Sequence, residues 1–189
     1  LDKEIKDARD GYLKLAKEVS RERAKSAGQL GKEVTHEMQK LGMPGGRFEV
    51  TLTRLPKDEL SASGLERIEY QVSANPGQPV KPLTKVASGG ELSRISLALQ
   101  VITSRVGRVP TLIFDEVDVG IGGGVAEIVG AQLRTLAGSH QVLCITHLAQ
   151  VAAQGHRHLQ VTKETAANTT VTHIGPLSAK ERVQEIARM

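Results

Sequence analysis

The sequence is poor in the residues that several common functions need. It has no tryptophan and only 2% aromatic residues, so base stacking on an aromatic platform is not expected. Its one cysteine, Cys144, excludes an intrachain disulfide and a structural zinc site, and its position in the apolar run QVLCITH favours a buried packing thiol. No apolar run reaches the roughly eighteen residues of a membrane span, and the charged start LDKEIKDARD lacks the apolar stretch of a secretory signal. We therefore expect a cytoplasmic protein without a membrane partner.

A phosphate-cradling loop of the form G-x-x-x-x-G-K-[ST] is also missing. The nearest match, SAGQLGKEV at residues 26–34, has serine at the first glycine position and glutamate after the lysine. It also falls within a predicted helix rather than after a strand. We therefore expect this chain alone to bind ATP poorly, because nothing in it cradles the β-phosphate.

What the chain does contain suits a globular protein. Its 189 residues are enough to bury a core, with 39% hydrophobic and 24% charged residues. The formal net charge is +4, and lysine and arginine alternate with acids in the first forty residues. This balance permits binding to an acidic partner such as DNA, with contacts mainly to phosphates.

The first part of the chain predicts one long helix over residues 1–41. Ile5, Tyr12 and Val19 recur every seven residues, with Ala8 and Leu15 between them, as in a coiled coil. The phase fails at residue 22, and apolar residues restart on a shifted register from residue 30. An ordinary amphipathic helix fits nearly as well as a coiled-coil end. The breaker GMPGG at 42–46 ends this segment, which gives two predicted regions, 1–42 and 43–189.

The second region alternates strand and helix patterns. Strands are predicted at 47–55, 65–74, 110–115, 141–146, 157–163 and 168–174, and helices at 89–105, 123–137, 148–154 and from residue 178, where Ser178 and Glu181 form a capping box. Apolar strands that alternate with helices predict an α/β fold with a mainly parallel sheet flanked by helices.

An acidic pair follows the apolar strand TLIF. Asp115 and Glu116 would emerge at the carboxyl edge of a parallel sheet, where ligands bind. Two neighbouring acids there can divide the work, one holding Mg²⁺ and the other positioning or deprotonating a water. The alternative is a strand that ends in a solvated acidic turn.

A glycine turn, SGGE at residues 88–91, opens the helix 89–105. Gly89 and Gly90 allow backbone N–H groups to approach an anion closely, and Ser88 can add a hydroxyl or cap the helix. Glu91 would repel a phosphate unless it points away, and it suits the first helical turn. A plain glycine turn with a serine cap is the alternative.

A histidine, His147, follows the apolar strand 141–146. A lone histidine is more often structural than catalytic. Here it would lie near the edge that carries Asp115, because its strand is expected beside the one that ends there, and its ring could donate to a phosphate oxygen.

The order of these motifs resembles the C-terminal half of an ABC-type ATPase head of the SMC-like group, and within it the DNA-repair members. Three sequence segments carry the resemblance, which runs from about residue 80 to the end of the chain. They are SGGELSRISLALQ, IFDEVDVGIGG and THLAQVAAQGHRHLQVTKE. Residues 1–42 resemble the returning end of that group's coiled-coil arm, and 43–189 the part of the head with the signature, Walker B and H-loop motifs.

The resemblance implies a role for each motif residue. Asp115 would coordinate Mg²⁺, Glu116 would polarise the attacking water, and His147 would contact the γ-phosphate. The set Ser88, Gly89, Gly90 and Glu91 would lie at ATP held by an opposing head. Gly122 stands where many such heads carry an aspartate, so communication through that aspartate is not carried over.

The resemblance also implies partners and a setting. The N-terminal half of the same head would supply the Walker A loop, a second head would complete a homodimer, and DNA repair and recombination near the nucleoid would be the context. Two other functions stay open from the residues: a non-catalytic dimerisation or DNA-bridging module, and a Mg²⁺-dependent nuclease or phosphatase that uses Asp115, Glu116 and Asp118.

Overall fold

The structure is a computed structural model that describes residues 1–56, 59–104, 109–166 and 169–189. Its helices and strands form two compact units, residues 1–88 and 89–189. The part of the chain that the structure describes contains no helix that is long and apolar enough to cross a membrane.

The first unit combines one long helix with an antiparallel sheet. Its elements are α1 (Asp2–Lys40), β1 (Arg47–Arg54), β2 (Glu66–Ser73), β3 (Lys81–Pro82) and a 3-10 turn (Leu83–Lys85). The three strands pair in the order β1-β2-β3, and β1 and β2 are in register along all eight residues, from Arg47 opposite Ser73 to Arg54 opposite Glu66.

The C-terminal part of α1 packs against the sheet of this unit. Val34, Met38 and Leu41 are fully buried, as is Phe48 at the start of β1. The Thr35 hydroxyl accepts a hydrogen bond from the Phe48 N–H at 2.9 Å and donates to the Phe48 carbonyl at 3.3 Å. The shifted apolar register of the sequence therefore marks the part of the helix that covers the sheet.

The N-terminal part of α1 leaves its apolar stripe uncovered within this unit. Ile5, Leu15 and Val19 are exposed, although Tyr12 donates its hydroxyl to the Ser61 carbonyl at 3.0 Å. The helix predicted over residues 1–41 is confirmed, and its two registers correspond to an uncovered stripe and a packed face.

The second unit contains four helices and four strands among its described residues. They are α2 (Gly89–Thr103), β4 (Thr111–Phe114), α3 (Gly123–Leu136), β5 (Gln141–Cys144), α4 (Ala149–Gln154), β6 (Leu159–Ala166), β7 (Thr169–Pro176) and α5 (Ala179–Arg188). The predicted elements are present close to their predicted bounds. The ends at Arg105 and Asn168 lie outside the described residues.

The strands β4 and β5 form a parallel pair, with Thr111 opposite Gln141 and Phe114 opposite Cys144. Leu112 and Phe114 face inwards and are buried, together with the apolar faces of α2 and α3. The other side of the pair carries Ile113, Leu143 and Ile145, which are 68%, 41% and 60% exposed. One face of this pair is therefore packed, and the apolar side chains on the other face are exposed.

The α/β class is confirmed, with sheets of mixed direction. Among the described strands, β4 and β5 are the parallel pair, whereas β6 and β7 form an antiparallel hairpin like β1 and β2. The hairpins join strands that are close in sequence, which favours antiparallel pairing. The alternation of strands and helices in the sequence does not by itself distinguish the two arrangements.

Candidate nucleotide-binding site

The acidic pair lies where β4 ends, as predicted. Asp115 and Glu116 are both exposed, and the Glu116 N–H donates to Asp115 Oδ1 at 2.9 Å. A turn follows, closed by a hydrogen bond from the Val119 N–H to the Glu116 carbonyl at 3.2 Å. Residues 115–119 are called the acidic turn below. Its exposed carboxylates stand at the carboxyl edge of the parallel pair.

Glu116 has an unusual backbone conformation. Its φ is 57°, the one left-handed value among the described residues other than glycine. This region costs a residue with a Cβ about 1 kcal/mol or more, and such strain is concentrated at functional sites. The conformation lets the chain reverse directly after the strand while the Glu116 carboxylate stays at the edge.

The glycine turn packs directly on the acidic turn. A Cβ added to Gly89 would lie 2.0 Å from Glu116 Oε2, so the carboxylate rests against the glycine backbone. Gly90 is buried, and a Cβ there would lie 3.1 Å from the Val119 carbonyl and 3.2 Å from the Glu116 carbonyl. Close approach to backbone therefore favours glycine at position 90, whereas the neighbour of Gly89 is the end of a flexible side chain.

Two side chains of α2 fasten this packing. The Ser93 hydroxyl donates to the Asp115 carbonyl at 2.6 Å, and the Arg94 guanidinium donates to the Val119 carbonyl at 2.8 Å. Arg94 is buried and its Nε has no partner among the described residues. Burial lowers the pKa of Arg94, and the nearby charge of Glu91 opposes that shift. Glu91 thus acts electrostatically on the arginine that anchors the acidic turn.

Asp118 joins the acidic turn to the loop that carries His147. Its side chain is only 2% exposed. Its Oδ2 accepts hydrogen bonds from the Thr146 hydroxyl at 2.5 Å and from the His147 N–H at 3.1 Å, and lies 3.4 Å from His147 Nδ1. The His147 side chain is 69% exposed. The expectation that the histidine strand lies beside the acidic strand is confirmed by the parallel pairing of β4 and β5.

The short helix α4 begins just after His147 and is held at its far end. Its Ala153 carbonyl accepts from Arg182 of α5 at 2.7 Å, and the Gln154 carbonyl accepts from Arg134 of α3 at 3.0 Å. A Cβ on Gly130 of α3 would lie 2.8 Å from Gln154 Cγ, so α4 sits close against α3. These contacts hold the chain downstream of the histidine in place.

Cys144 is the last residue of β5 and is partly buried. Burial raises the pKa of its thiol to about 12, and the charges of Asp118 and Asp115 add to the shift. The thiol therefore stays protonated at neutral pH, in line with the packing role expected for it.

The donor set at the edge suits a hard cation. Asp115 has one carboxylate oxygen engaged by the Glu116 N–H, and its other oxygen has no partner among the described residues. Carboxylate oxygens are the ligands that Mg²⁺ takes from proteins, usually one or two beside water and phosphate oxygens. No group of three or more acidic, histidine or cysteine residues in the described ranges could hold a metal by protein ligands alone.

Sequence reasoning found the residues of this edge but missed their connections. It placed Asp118 in a possible acidic cluster with Asp115 and Glu116, whereas the structure buries Asp118 and turns it towards Thr146 and His147. The contact of Gly89 with Glu116 also had no signal in the sequence. A hint for Asp118 existed in its apolar neighbours, since Val117 is fully buried beside it.

Comparison with solved structures identifies the fold. The crystal structure of the Smc head domain with a coiled coil and joint from Pyrococcus yayanosii superposes with a TM-score of 0.61 and 21% identity, over 98% of this chain and 34% of that one. A crystal structure of the SmcHead bound to the C-winged helix domain of ScpA gives 0.57 and 20%, over 89% and 48%. The chain therefore has the fold of part of an SMC head domain.

Sequence comparison narrows the relationship. A DNA repair protein RecN from Xylella fastidiosa is 46% identical over all 189 residues, and one from Bacillus subtilis is 38% identical over 202 aligned residues. These matches cover the whole chain and 34% and 35% of the relatives, so the chain spans about a third of their length. The predicted resemblance to DNA-repair members of the SMC-like group is confirmed, and the chain corresponds to the C-terminal portion of RecN. No family model matches the chain.

Proposed function

We propose that this chain is one lobe of an SMC-like head that hydrolyses ATP held between two heads, in a protein that repairs DNA. The observation that carries the proposal is the junction at the edge of β4 and β5. There, the glycine turn touches Glu116, and the acidic turn is hydrogen-bonded to the His147 loop. Similarity to proteins called DNA repair protein RecN supports the biological setting.

Each side chain at this edge has a distinct task in the proposed reaction. Asp115 offers a free carboxylate oxygen to Mg²⁺, which supplies charge neutralisation on the phosphates when bound. Glu116, exposed and next to it, orients and polarises the attacking water. His147 presents its exposed ring to the γ-phosphate of the same nucleotide.

The glycine turn serves the nucleotide of the opposing head. Ser88 and the N–H groups at Gly89 and Gly90 stand at the start of α2, where backbone donors and the helix dipole favour an anion. Glu91 stays beside Arg94 and balances its buried charge, which keeps this acid from facing the phosphate alone.

The uncovered face of the parallel pair supports a missing complementary half. Ile113, Leu143 and Ile145 present adjacent apolar side chains, and burying them against a second lobe is favoured by roughly 25 cal/mol per Å². We assign that lobe to the N-terminal half of the same head, which would also bring the absent Walker A loop.

The composite site has a direct test. The 189-residue chain alone should hydrolyse ATP at the buffer background, whereas the complete protein, with its Walker A half, should turn over ATP. Rapid hydrolysis by the isolated chain would contradict the composite site. A Walker A lysine substitution in the complete protein is the matched control for contaminating ATPases.

The role of Glu116 is tested by Glu116→Gln in the complete protein. The amide keeps the shape but does not accept a proton, so we expect ATP binding to persist, engaged heads to accumulate and turnover to cease. Glu127→Gln on the exposed side of α3 is the matched control and should behave as wild type. Normal hydrolysis by Glu116→Gln would remove the proposed water-activating role.

The role of the glycine turn is tested by Ser88→Arg. A bulky cation there should block engagement of the two heads, measured by ATP-dependent dimerisation, and leave nucleotide binding to one head intact. Loss of binding itself would instead indicate a role within the same head. A protein that engages its heads but never hydrolyses ATP would indicate the non-catalytic bridging module.

Contact with DNA is proposed for one side of α1. At about 100° of rotation per residue, seven exposed cations fall within roughly 100° of arc on the helix. They are Lys3, Lys6, Lys14, Lys17, Arg21, Lys25 and Lys32, called the basic face. Asp7 and Asp10 share this arc, and none of the six lysines forms an ion pair with a described residue. Over residues 3–25 every residue in this arc is exposed, whereas further along the helix Thr35 falls in the same arc and is hydrogen-bonded to Phe48.

Charge removal tests the basic face. Lys14→Gln with Lys17→Gln should weaken duplex binding and lower the slope of log affinity against log salt by up to about 2, since each phosphate contact contributes about 0.9. Lys81→Gln with Lys85→Gln removes the same charge from exposed positions elsewhere and is the control. Equal losses for the two pairs would show that only net charge matters and would reject this face.

A further inference from the structure

We propose that Asp118 is a positioning residue that fixes His147 for phosphate contact and ties the histidine loop to the acidic turn. The proposal rests on the function proposed above, because it gives His147 its task. It adds a residue whose carboxylate never meets the nucleotide and acts only through the histidine.

The contacts of Asp118 are concentrated on the histidine loop. One oxygen, Oδ2, receives the Thr146 hydroxyl at 2.5 Å and the His147 N–H at 3.1 Å, and faces His147 Nδ1 at 3.4 Å. The Thr146 hydroxyl also accepts from the Leu148 N–H at 3.1 Å. The carboxylate therefore holds Thr146 and His147 directly. It holds Leu148 indirectly, through the Thr146 hydroxyl.

Burial of the Asp118 carboxylate is unfavourable unless hydrogen bonds inside the protein stabilise its charge. A carboxylate that is 98% buried loses most of its hydration, which must be replaced by donors inside the protein. The donors here come from the strand β5 side of the edge, whereas the carboxylate comes from the β4 side. The Asp118 carboxylate therefore joins the loop after β4 to the loop after β5 by hydrogen bonds.

Packing does not orient the histidine ring by itself. The ring is largely exposed, so few neighbours restrict its rotation. The approach of Nδ1 to Asp118 selects one edge of the ring, and the opposite edge, with Nε2, is directed away from the carboxylate. Asp118 thus decides which nitrogen is offered to a phosphate.

The other end of the histidine loop is fixed independently. Helix α4 is anchored through Arg134, Arg182 and the close contact at Gly130, and none of these contacts involves Asp118. Removal of Asp118 should therefore loosen residues 146–148 without displacing α4. This separation makes the proposed role distinguishable from a general structural one.

Turnover in the complete protein gives the first test. Asp118→Asn keeps the volume and one acceptor oxygen but loses the charge, and it should lower kcat roughly tenfold to a hundredfold with KM within about twofold. In a His147→Ala background, Asp118→Asn should change kcat less than twofold, because the histidine through which Asp118 acts is absent. An equal loss in both backgrounds would overturn the proposal. Glu127→Gln is the charge-matched control.

Amide exchange gives a second test that needs no turnover. In Asp118→Asn, the segment 146–148 should exchange its amide hydrogens about tenfold faster, while α4 exchanges as in wild type. Unchanged exchange at 146–148 would reject the tether even if ATP hydrolysis fell. If the wild-type protein does not hydrolyse ATP, the proposed function fails, and this exchange measurement still decides whether Asp118 holds the loop. Asp118→Asn avoids the empty buried site that Asp118→Ala would create.

Discussion

Substitution of Gly89 by alanine should separate activity from stability. A Cβ at this position would lie 2.0 Å from Glu116 Oε2, and real Cβ contacts are essentially never shorter than 3.0 Å. The Glu116 carboxylate must therefore retreat by at least about 1 Å. It is exposed and flexible, so it can swing into solvent.

The expected cost in stability is small. Gly89 opens α2 with a φ outside the left-handed region, so alanine fits the backbone and contributes up to about 1 kcal/mol through helix propensity. The displaced carboxylate loses no hydrogen bond among the described residues. We expect the free energy of unfolding to stay within about 1 kcal/mol of wild type, measured by denaturant titration.

The expected cost in activity is large. A shift of about 1 Å in a group that positions a reactant can reduce the rate about a hundredfold. We expect Gly89→Ala to lower the ATPase kcat of the complete protein by roughly that factor and to retain ATP-dependent dimers, as Glu116→Gln should. In a Glu116→Gln background, the alanine should cause no further loss of turnover.

The matched control is Gly122→Ala. A Cβ there meets nothing within 4 Å, and its φ of −167° suits any residue, so the substitution should be silent. Hydrolysis by Gly89→Ala within threefold of wild type would refute the inferred displacement of Glu116. Loss of dimer formation in Gly89→Ala would show that the added methyl group disturbs the contact of the glycine turn with the opposing nucleotide, and not only the position of Glu116.

Three further predictions follow from the second unit. Gly130→Val places new methyl groups against Gln154 of α4 and should destabilise the protein by about 1 to 3 kcal/mol in denaturant titration; an unchanged stability would contradict the close packing of α4 on α3. Ser178→Ala removes the hydroxyl that accepts from the Glu181 N–H and should cost about 1 kcal/mol in the same assay. The capping contacts lower the pKa of Glu181, so its contribution is present above the unfolded pKa and is lost as pH falls through the folded one. Cys144, whose pKa is raised to about 12, should resist iodoacetamide at pH 8 and react only after unfolding, and rapid alkylation of the native protein would contradict its burial.

Local sequence patterns predicted the elements of this edge well. The apolar runs that end at Phe114 and Cys144 became neighbouring parallel strands, and Asp115, Glu116 and His147 follow them as expected. Such patterns succeed because a buried strand needs a continuous apolar stretch and a sheet places the carboxyl ends of parallel strands together. The position of each residue at this edge could therefore be predicted before its geometry was known, and its chemical role stays a prediction.

The connections between these residues could not be predicted in the same way. Gly89 and Glu116 touch because the start of α2 packs against the acidic turn after β4, and sequence spacing does not fix that close approach. Asp118 looked like a third exposed acid, because its apolar neighbours hint at burial but do not show that Thr146 and the His147 N–H would enclose it. Packing between elements decided both cases, and local patterns contain little information about it.

Three uncovered apolar surfaces argue that the chain is complete only with additional protein. The stripe of Ile5, Leu15 and Val19 runs along α1, and Ile113 with its neighbours covers one face of β4 and β5. On the hairpin β6–β7, Val161 lies opposite Ile174, and these side chains are 58% and 67% exposed. An isolated two-stranded hairpin is marginally stable in water, and monomeric proteins rarely expose contiguous apolar patches of large area. Because the chain spans about a third of its relatives, the simplest occupants of these surfaces are other parts of the same polypeptide. Under the proposed function, the missing Walker A loop and the uncovered faces would have one cause, which is division of the head between two distant parts of a chain.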